Sequence, residues 1–332
     1  MPPLLVNTSY GLFCSDSAYG DLNGDDQPEI AVGRLPVKTA QQLLALIGKI
    51  QSYEALPQTA PAQALLVADA PDSAGDFTAA IQRVSTTLVG SYSNTVVQGA
   101  GQSTLGPVRQ AIQSSLNAGV DLVDYIGHGA IDRFGNYGYL TSADVAALQN
   151  GARLPVVVAV TCVAGQYSVP GSDCLAGYLS MQNAGGAIAV VAPTGLSVDQ
   201  DASRLNLRLL NLLRANAGPG VGDMFRQALA DHVALDNPTT QAAIYNLIGD
   251  PALAYNVAVQ TFAAVPQFTG ASVTNGVLVI TWSGGQPPYQ LEQTTTLGPK
   301  ASWQAVGSPV SGFTTTLPVT GPMGFIRVRC SR

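Results

Sequence analysis

Charge is scarce in this chain. Asp, Glu, Lys and Arg make up 11% of its 332 residues, against about a quarter in a typical soluble domain. The 15 Lys and Arg are scattered and outnumbered by 21 Asp and Glu, giving a net charge of −6. Binding a phosphate backbone needs clustered basic residues, so nucleic acid is excluded as a partner. Histidine is rarer still: His128 and His232 only. The four cysteines, Cys14, Cys162, Cys174 and Cys330, form no CxxC and no metal-ligand spacing with either histidine. That argues against a zinc site and, at this density, against a disulfide scaffold. Long apolar runs are also missing. The longest, Leu154 to Val163, has the length of a strand, well short of the ~18 residues a membrane span needs. The opening Met1-Pro2-Pro3-Leu4-Leu5-Val6 has no basic region and no long apolar core, so it does not read as a signal peptide.

What is present is apolar and patterned. Hydrophobic residues reach 46%, enough for a sizeable core and for two domains, or one with an appendage. After a Gly/Asp-rich stretch over 7–36, a short strand is expected at Glu29–Val32. A helix follows from an N-cap at Thr39 to about Glu54. Strands at Ala64–Ala68, Val120–Ile126, Pro155–Val160 and Ala187–Val191 then alternate with helices at Phe77–Val89, Gly106–Leu116, Ser142–Gln149 and Cys174–Asn183. Three more helices are expected at Ala202–Arg214, Val221–His232 and Thr239–Leu247. Strands apolar throughout and separated by helices imply an α/β fold, a parallel sheet covered on both faces. Composition changes after Val257. A linker at about Gln260–Val265 leads to a hairpin around Thr274-Asn275-Gly276 and further short strands, a small all-β sandwich with Trp282 and Trp303 in its core.

Two strand ends carry reactive groups. Val120–Ile126 runs into Gly127-His128-Gly129, and Pro155–Val160 runs into Thr161-Cys162. Ligands of open parallel sheets bind beyond the carboxyl ends of the strands, so both residues are expected on one edge. A thiol beside an imidazole there becomes a thiolate able to attack a carbonyl. Gly129 permits close backbone approach. Its N–H with that of Cys162 would form an oxyanion hole, worth ~3 kcal/mol per donor.

The ordered segments also resemble a known family. Ser15-Asp16, Tyr19-Gly20, Glu29-Ile30-Ala31-Val32-Gly33-Arg34, Tyr125-Ile126-Gly127-His128-Gly129, Leu154-Pro155, Val160-Thr161-Cys162-Val163-Ala164-Gly165, Cys174-Leu175-Ala176 and Gly249-Asp250-Pro251-Ala252-Leu253 resemble gingipain-type cysteine peptidases. Caspases, legumains and separases share the strand–His-Gly and strand–Cys arrangement. The resemblance implies a caspase-like three-layer fold and an endopeptidase acting on protein or peptide substrates, with Cys162 as nucleophile and His128 as base. It implies Asp69, after Leu65–Ala68, as the acid orienting His128; a loop or N-cap role for Asp69 is the alternative. Asp76 matches a pocket position for a basic P1 side chain, and equally reads as the N-cap of the helix at 77. The segment 192–197, with Thr194, matches the pocket wall. No Trp stands near it, and Asp199 and Asp201 do, so a basic P1 residue is only weakly indicated.

The implied organisation is a remnant of an N-terminal α/β subdomain over 1–57, a catalytic subdomain over 58–259 and an immunoglobulin-like sandwich over 266–332. The shortened N-terminus is what a fragment or processed form would show, and the relatives imply a secreted or surface protein of bacterial type. Two other readings stand beside the enzyme: an inactive peptidase-like surface or adhesion protein, and a self-processing peptidase. No cofactor is required. Asp21, Asn23 and Asp25 alternate as in calcium loops, though the helices and the twelfth-position Glu of an EF-hand are absent. An acidic, Gly-rich turn explains them as well. His232 is expected to be solvated, and Cys174 packed.

Overall fold

The computed structural model describes residues 1–25, 27–56, 62–99, 102–236, 240–257, 266–274, 276–283, 288–298, 301–318 and 324–330; for 102, 240 and 330 it describes the backbone only. The expected linker Gln260–Val265, Asn275 of the hairpin turn and the Cys330 side chain lie outside the described residues. The chain divides into two compact units, Met1–Gln260 and Thr261–Arg332.

In the first unit, a hairpin of β1 (Leu5–Thr8) and β2 (Gly11–Cys14) precedes α1 (Ala40–Glu54), β3 (Gln63–Ala68), α2 (Phe77–Leu88), β4 (Ser93–Gln98), α3 (Leu105–Ala118) and β5 (Leu122–Ile126). A three-stranded excursion follows, formed by β6 (Gly129–Ala130), β7 (Arg133–Phe134) and β8 (Leu140–Thr141). The unit is completed by α4 (Ser142–Val145), β9 (Val156–Val160), α5 (Leu175–Met181), β10 (Ala189–Pro193), α6 (Asp199–Ala215), α7 (Val221–Asp236), α8 (Thr240–Ile244) and β11 (Tyr245–Ile248).

The central sheet has the order β11-β10-β9-β5-β3-β4. All its pairs are parallel except β10 with β11. Alternation along each strand feeds two cores. Ala64, Leu66 and Ala68 join Leu122, Val156 and Val158 under α1, α2, α6 and α7. Leu65 and Val67 join Val123, Val157 and Ala159 under α3, α4 and α5. Each aliphatic side chain so buried contributes about 1.5–3 kcal/mol, which is why these strands read as continuous apolar runs. α1 starts with a capping box: the Thr39 hydroxyl accepts from the Gln42 amide and the Gln42 side chain accepts from that of Thr39, each at 3.2 Å.

β3 lies between β4 and β5. The chain leaves β3 through α2 on one face and comes back to its other side through α3 on the opposite face. The connections that leave the carboxyl ends of β3 and β5 therefore run in opposite directions along the sheet, to β4 and to β9, the place where open α/β sheets bind their ligands.

Several expectations are corrected. No strand forms at Glu29–Val32, because the Glu29 and Ile30 amides turn back to the Gly20 carbonyl at 2.9 and 3.2 Å; one bridge, Arg34 to Ile248, is the pairing made there. The helix expected to reach Leu247 stops at Ile244, and Tyr245–Ile248 forms the antiparallel strand β11. Buried on both faces, that short apolar run has no helical period to betray it. The helix from Ser142 ends at Val145. The exposed edge strand β4 carries too little apolar alternation to be seen in advance. His232 is 0% exposed, with Nδ1 3.1 Å from the Arg208 guanidinium and 3.2 Å from the Asp236 carboxylate. It is a core histidine, and burial lowers its pKa. Cys174 is packed, 2% exposed.

The second unit has six strands: β12 (Gln267–Thr274), β13 (Val277–Ser283), β14 (Tyr289–Thr294), β15 (Gln304–Val310), β16 (Thr314–Pro318) and β17 (Phe325–Cys330). They form two antiparallel sheets, β12-β13-β16 and β15-β14-β17. Ile280 and Trp282 from one sheet meet Tyr289, Leu291 and Val328 from the other in a shared core. Trp303 is not in that core; it is half-buried, with the Arg327 guanidinium over its ring at 4.2 Å from the centroid.

Candidate active site

Register brings the two reactive strand ends together. Ile126 of β5 pairs with Val160 of β9, and His128 and Cys162 each stand two residues further on. The Gly127 amide donates to the Val160 carbonyl at 3.0 Å, and the Asp69 amide donates to that of Ile126 at 2.9 Å. Asp69, Gly127 and Thr161 are therefore laid side by side just past three adjacent strands. Two glycines make this possible. A Cβ at Gly127 would fall 2.3 Å from that of Asp69, and one at Gly129 would fall 2.3 Å from the Thr161 hydroxyl oxygen.

His128 is held at both its peptide groups and at its ring. Its amide donates to Asp69 Oδ2 at 3.2 Å, and its carbonyl accepts from the Tyr125 hydroxyl at 2.6 Å and the Gly135 amide at 2.7 Å. The imidazole Nε2 is 2.8 Å from Asp72 Oδ2, and the ring meets Phe77 edge-on at 5.4 Å. The acid at the ring is thus Asp72, not the expected Asp69. Asp69 is 3% exposed, and its Oδ1 accepts from the Tyr139 hydroxyl at 2.8 Å and the Ala70 amide at 2.7 Å. It fixes the His128 peptide rather than its ring. Asp72 sits on the following turn, where the Ala74 amide first, and His128 second, hold its carboxyl below the usual range.

Cys162 is followed by a strained turn. Val163 has φ of +46°, a conformation that costs a β-branched residue about 1–3 kcal/mol and tends to occur at functional sites. The turn is fixed to the end of β10: the Val163 amide donates to the Gly195 carbonyl at 3.1 Å, and that of Gly165 to Pro193 at 2.9 Å. The sulfur itself accepts from the Ser197 amide at 3.4 Å. Among the described residues no hydrogen bond joins the Cys162 sulfur to the His128 ring.

The three expected pocket residues divide. Thr194 is 0% exposed, and its hydroxyl donates to the carbonyls of Cys14 at 2.5 Å and Ile244 at 3.1 Å. It bolts β10 to the N-terminal hairpin and lines no pocket. Asp76 caps α2, its Oδ1 accepting from the Ala79 amide at 2.9 Å. Asp199 opens α6, and Gly75 lies so close that a Cβ there would be 2.9 Å from its Oδ2. Burial first, and the charge of Asp76 last, raise the Asp199 pKa. The turn 72–75 thus presents Asp72 to His128 and rests against Asp199, with Phe77 between them. Asp201 is paired with Arg204.

The loop over 21–29 brings together Asp21, Asp25 and Glu29, whose oxygens lie within 4.8 Å of one another. Asn23 bonds to two members of that cluster: its Nδ2 donates to Glu29 Oε1 at 2.8 Å, and its Oδ1 accepts from the Asp25 amide at 2.9 Å. Asp21 Oδ1 accepts from the Gly24 amide at 2.7 Å. These contacts are those of an acidic turn satisfying its own backbone.

Sequence reasoning missed Asp72, Ser197 and Tyr245. Asp72 had a signal, a second acid four places beyond the strand end at Ala68 and just past Pro71. Tyr245 had none, because its segment was read as helix.

Gingipain R2 and gingipain R1 of Porphyromonas gingivalis are each 30% identical to this chain over 194 residues, 54% of its length. The chain spans only 26% and 19% of those relatives. The crystal structure of the Arg-specific cysteine proteinase gingipain R (RgpB) superposes with a TM-score of 0.66 at 18% identity, covering 99% of this chain and 78% of that one. A complex of the RgpB pro- and mature domains gives 0.63 at 17%, covering 96% and 81%. These structures share the caspase-like fold described above. The family model for peptidase family C25 matches residues 3–256, essentially the whole first unit, and the chain belongs to that family.

Proposed function

We propose that the chain is a cysteine endopeptidase, with Cys162 as nucleophile and His128 as general base and then general acid. The observation that carries this reading is the register: the thiol and the imidazole stand at equivalent positions beyond adjacent parallel strands, beside the point where the strand order reverses. The Asp72 carboxylate accepts from Nε2–H, which fixes the tautomer and leaves Nδ1 for the reacting groups. Nδ1 takes the thiol proton, and the thiolate attacks the scissile carbonyl carbon. The oxyanion that forms is stabilised by the main-chain N–H groups of Gly129 and Cys162, donors worth ~3 kcal/mol each. On collapse the C–N bond breaks and the imidazolium protonates the leaving amine. Water, deprotonated by the same imidazole, then cleaves the thioester and restores the thiol. The hydrogen bond from His128 to the thiol forms with substrate in place, as catalytic bonds often do.

A basic P1 side chain fits the same geometry. Asp199 offers a partly buried carboxylate next to the Asp72 turn, and the similar gingipain R is described as Arg-specific. Asp76 adds negative charge from its capping position. Protein substrates at or beyond a bacterial cell surface follow from the family resemblance.

The test is labelling with an acyloxymethyl-ketone probe, together with turnover of Arg, Lys, Asp and Asn P1 substrates. Wild type, Cys162→Ala and His128→Ala are compared. Labelling that requires Cys162, and turnover led by Arg or Lys, is expected. Absent labelling and absent turnover would leave a peptidase-like binding module instead.

A further inference from the structure

Tyr245 is almost fully buried, 2% exposed, on the edge strand β11. A buried phenol needs a partner for its hydroxyl, and this one finds it on the segment that flanks the nucleophile. Its oxygen lies 3.1 Å from Ser197 Oγ. The Ser197 hydroxyl in turn lies 2.8 Å from Gln241 Oε1, to which it donates, and Gln241 is itself 1% exposed. Since Ser197 Oγ spends its only proton on Gln241, it must accept from Tyr245. The donor order is therefore fixed along the series Tyr245 O–H, Ser197 O–H, Gln241 carbonyl.

The other end of Ser197 faces the sulfur: its amide donates to Cys162 Sγ at 3.4 Å, and its carbonyl accepts from the thiol at 3.9 Å. Of the two contacts the shorter one, an N–H aimed at sulfur, is the one that a thiolate keeps. The direction of that N–H depends on where the Ser197 side chain is anchored, and its anchors are Tyr245 and Gln241. The loop 194–198 has one further tie to the nucleophile turn, from the Val163 amide to the Gly195 carbonyl at 3.1 Å. Without the phenol, Ser197 would be held on one side only.

We infer that Tyr245 is a positioning residue for the nucleophile: it ties the Ser197 loop to β11 so that the Ser197 main-chain N–H is held on the Cys162 sulfur and stabilises the thiolate. This rests on Cys162 being the nucleophile, as proposed above. Gln241 completes the clamp by orienting the Ser197 hydroxyl.

The test reads the thiol directly. Iodoacetamide alkylation of the Cys162 peptide is followed by mass spectrometry across pH, for wild type, Tyr245→Phe, Ser197→Ala and the double variant. Tyr245→Phe keeps the ring and removes only the hydroxyl. Its alkylation midpoint is expected to rise by roughly half a pH unit, about threefold less thiolate at a fixed lower pH. Ser197→Ala should match it, and the double variant should shift no further, because all three break one series. With substrate, kcat is expected to fall about threefold at neutral pH and to recover at higher pH, with KM unchanged. A Tyr245→Phe protein that melts lower but keeps the wild-type alkylation midpoint would reduce the residue to packing and overturn the inference. If Tyr245→Phe does not fold, the half-buried Ser197→Ala decides by the same midpoint. The alkylation profile needs no substrate, so a wild type without turnover sinks the peptidase reading while the thiol measurement still judges Tyr245.

Discussion

Asp124 provides a stability experiment whose sign is set by the fold. It lies in the middle of β5, paired with Leu66 on one side and Val158 on the other, and is 0% exposed. Its polar partner is the Asn206 side-chain amide, which donates to both carboxylate oxygens at 3.0 and 3.1 Å. Burial without a cation pushes its pKa from 3.8 up to about 7, against a smaller opposing effect of Asn206. In the unfolded chain the group titrates near its ordinary value, so between pH 4 and 7 the folded state binds the extra proton. Stability therefore falls as pH rises through that window and levels off above it. Each pH unit of displacement is worth about 1.4 kcal/mol, so the full loss approaches about 4 kcal/mol at pH 8. Asp124→Asn is isosteric and neutral throughout. It should gain about 2–4 kcal/mol over wild type at pH 8 and be close to wild type near pH 4. Urea unfolding followed by circular dichroism at 222 nm reads the first unit, which holds every described helix. Fluorescence of Trp282 and Trp303 reads the second, since the chain has no other tryptophan, and serves as an internal control. An Asp124→Asn effect of equal size at pH 4 and pH 8 would refute the reasoning, as would one confined to the tryptophan signal.

Three further outcomes follow from the site and its supports. Asp72→Asn should lower kcat/KM about tenfold while leaving stability unchanged, because a half-exposed carboxylate orients the ring but is screened by water. Asp69→Asn should instead lower the melting temperature, and a purely kinetic effect there would reverse the two assignments. Gly129→Ala should cut kcat/KM by about a hundredfold or more, since its Cβ would meet the Thr161 hydroxyl at 2.3 Å and displace an oxyanion donor; steady-state kinetics on the folded variant checks it. Lys49 donates to the carbonyls of Ser180, Gln182 and Gly185 at 2.8–2.9 Å, so Lys49→Met should destabilise the first unit by about 2–4 kcal/mol in urea unfolding.

The parts of this protein that could be read in advance are those whose physics is local. Apolar strands such as Val156–Val160 declare themselves by composition, and the Thr39 cap by its neighbour Gln42. The chemistry at His128 and Cys162 was legible because each terminates such a strand, and strand ends of a parallel sheet share an edge. The acid was not, because Asp69 and Asp72 differ only in where a Pro71 turn sends them. One faces the peptide of His128 and the other its ring, a distinction made by Tyr139, 70 positions away in the chain. Thr194 misled for a related reason. It follows a buried strand just as Cys162 does, yet β10 has an antiparallel neighbour, and Ile244, which leads into β11, together with Cys14 of the N-terminal hairpin offers its hydroxyl two carbonyls. On the parallel side of the sheet a strand end opens into a crevice; beside the antiparallel edge it is closed by the returning chain. Misreading Tyr245–Leu247 as helix therefore hid the closure of Thr194, and it hid Tyr245, whose hydroxyl reaches Ser197 only from a strand in that place. The error in one element thus accounts for both the false pocket residue and the missing positioning residue, and pairing β11 with β10 resolves the two together.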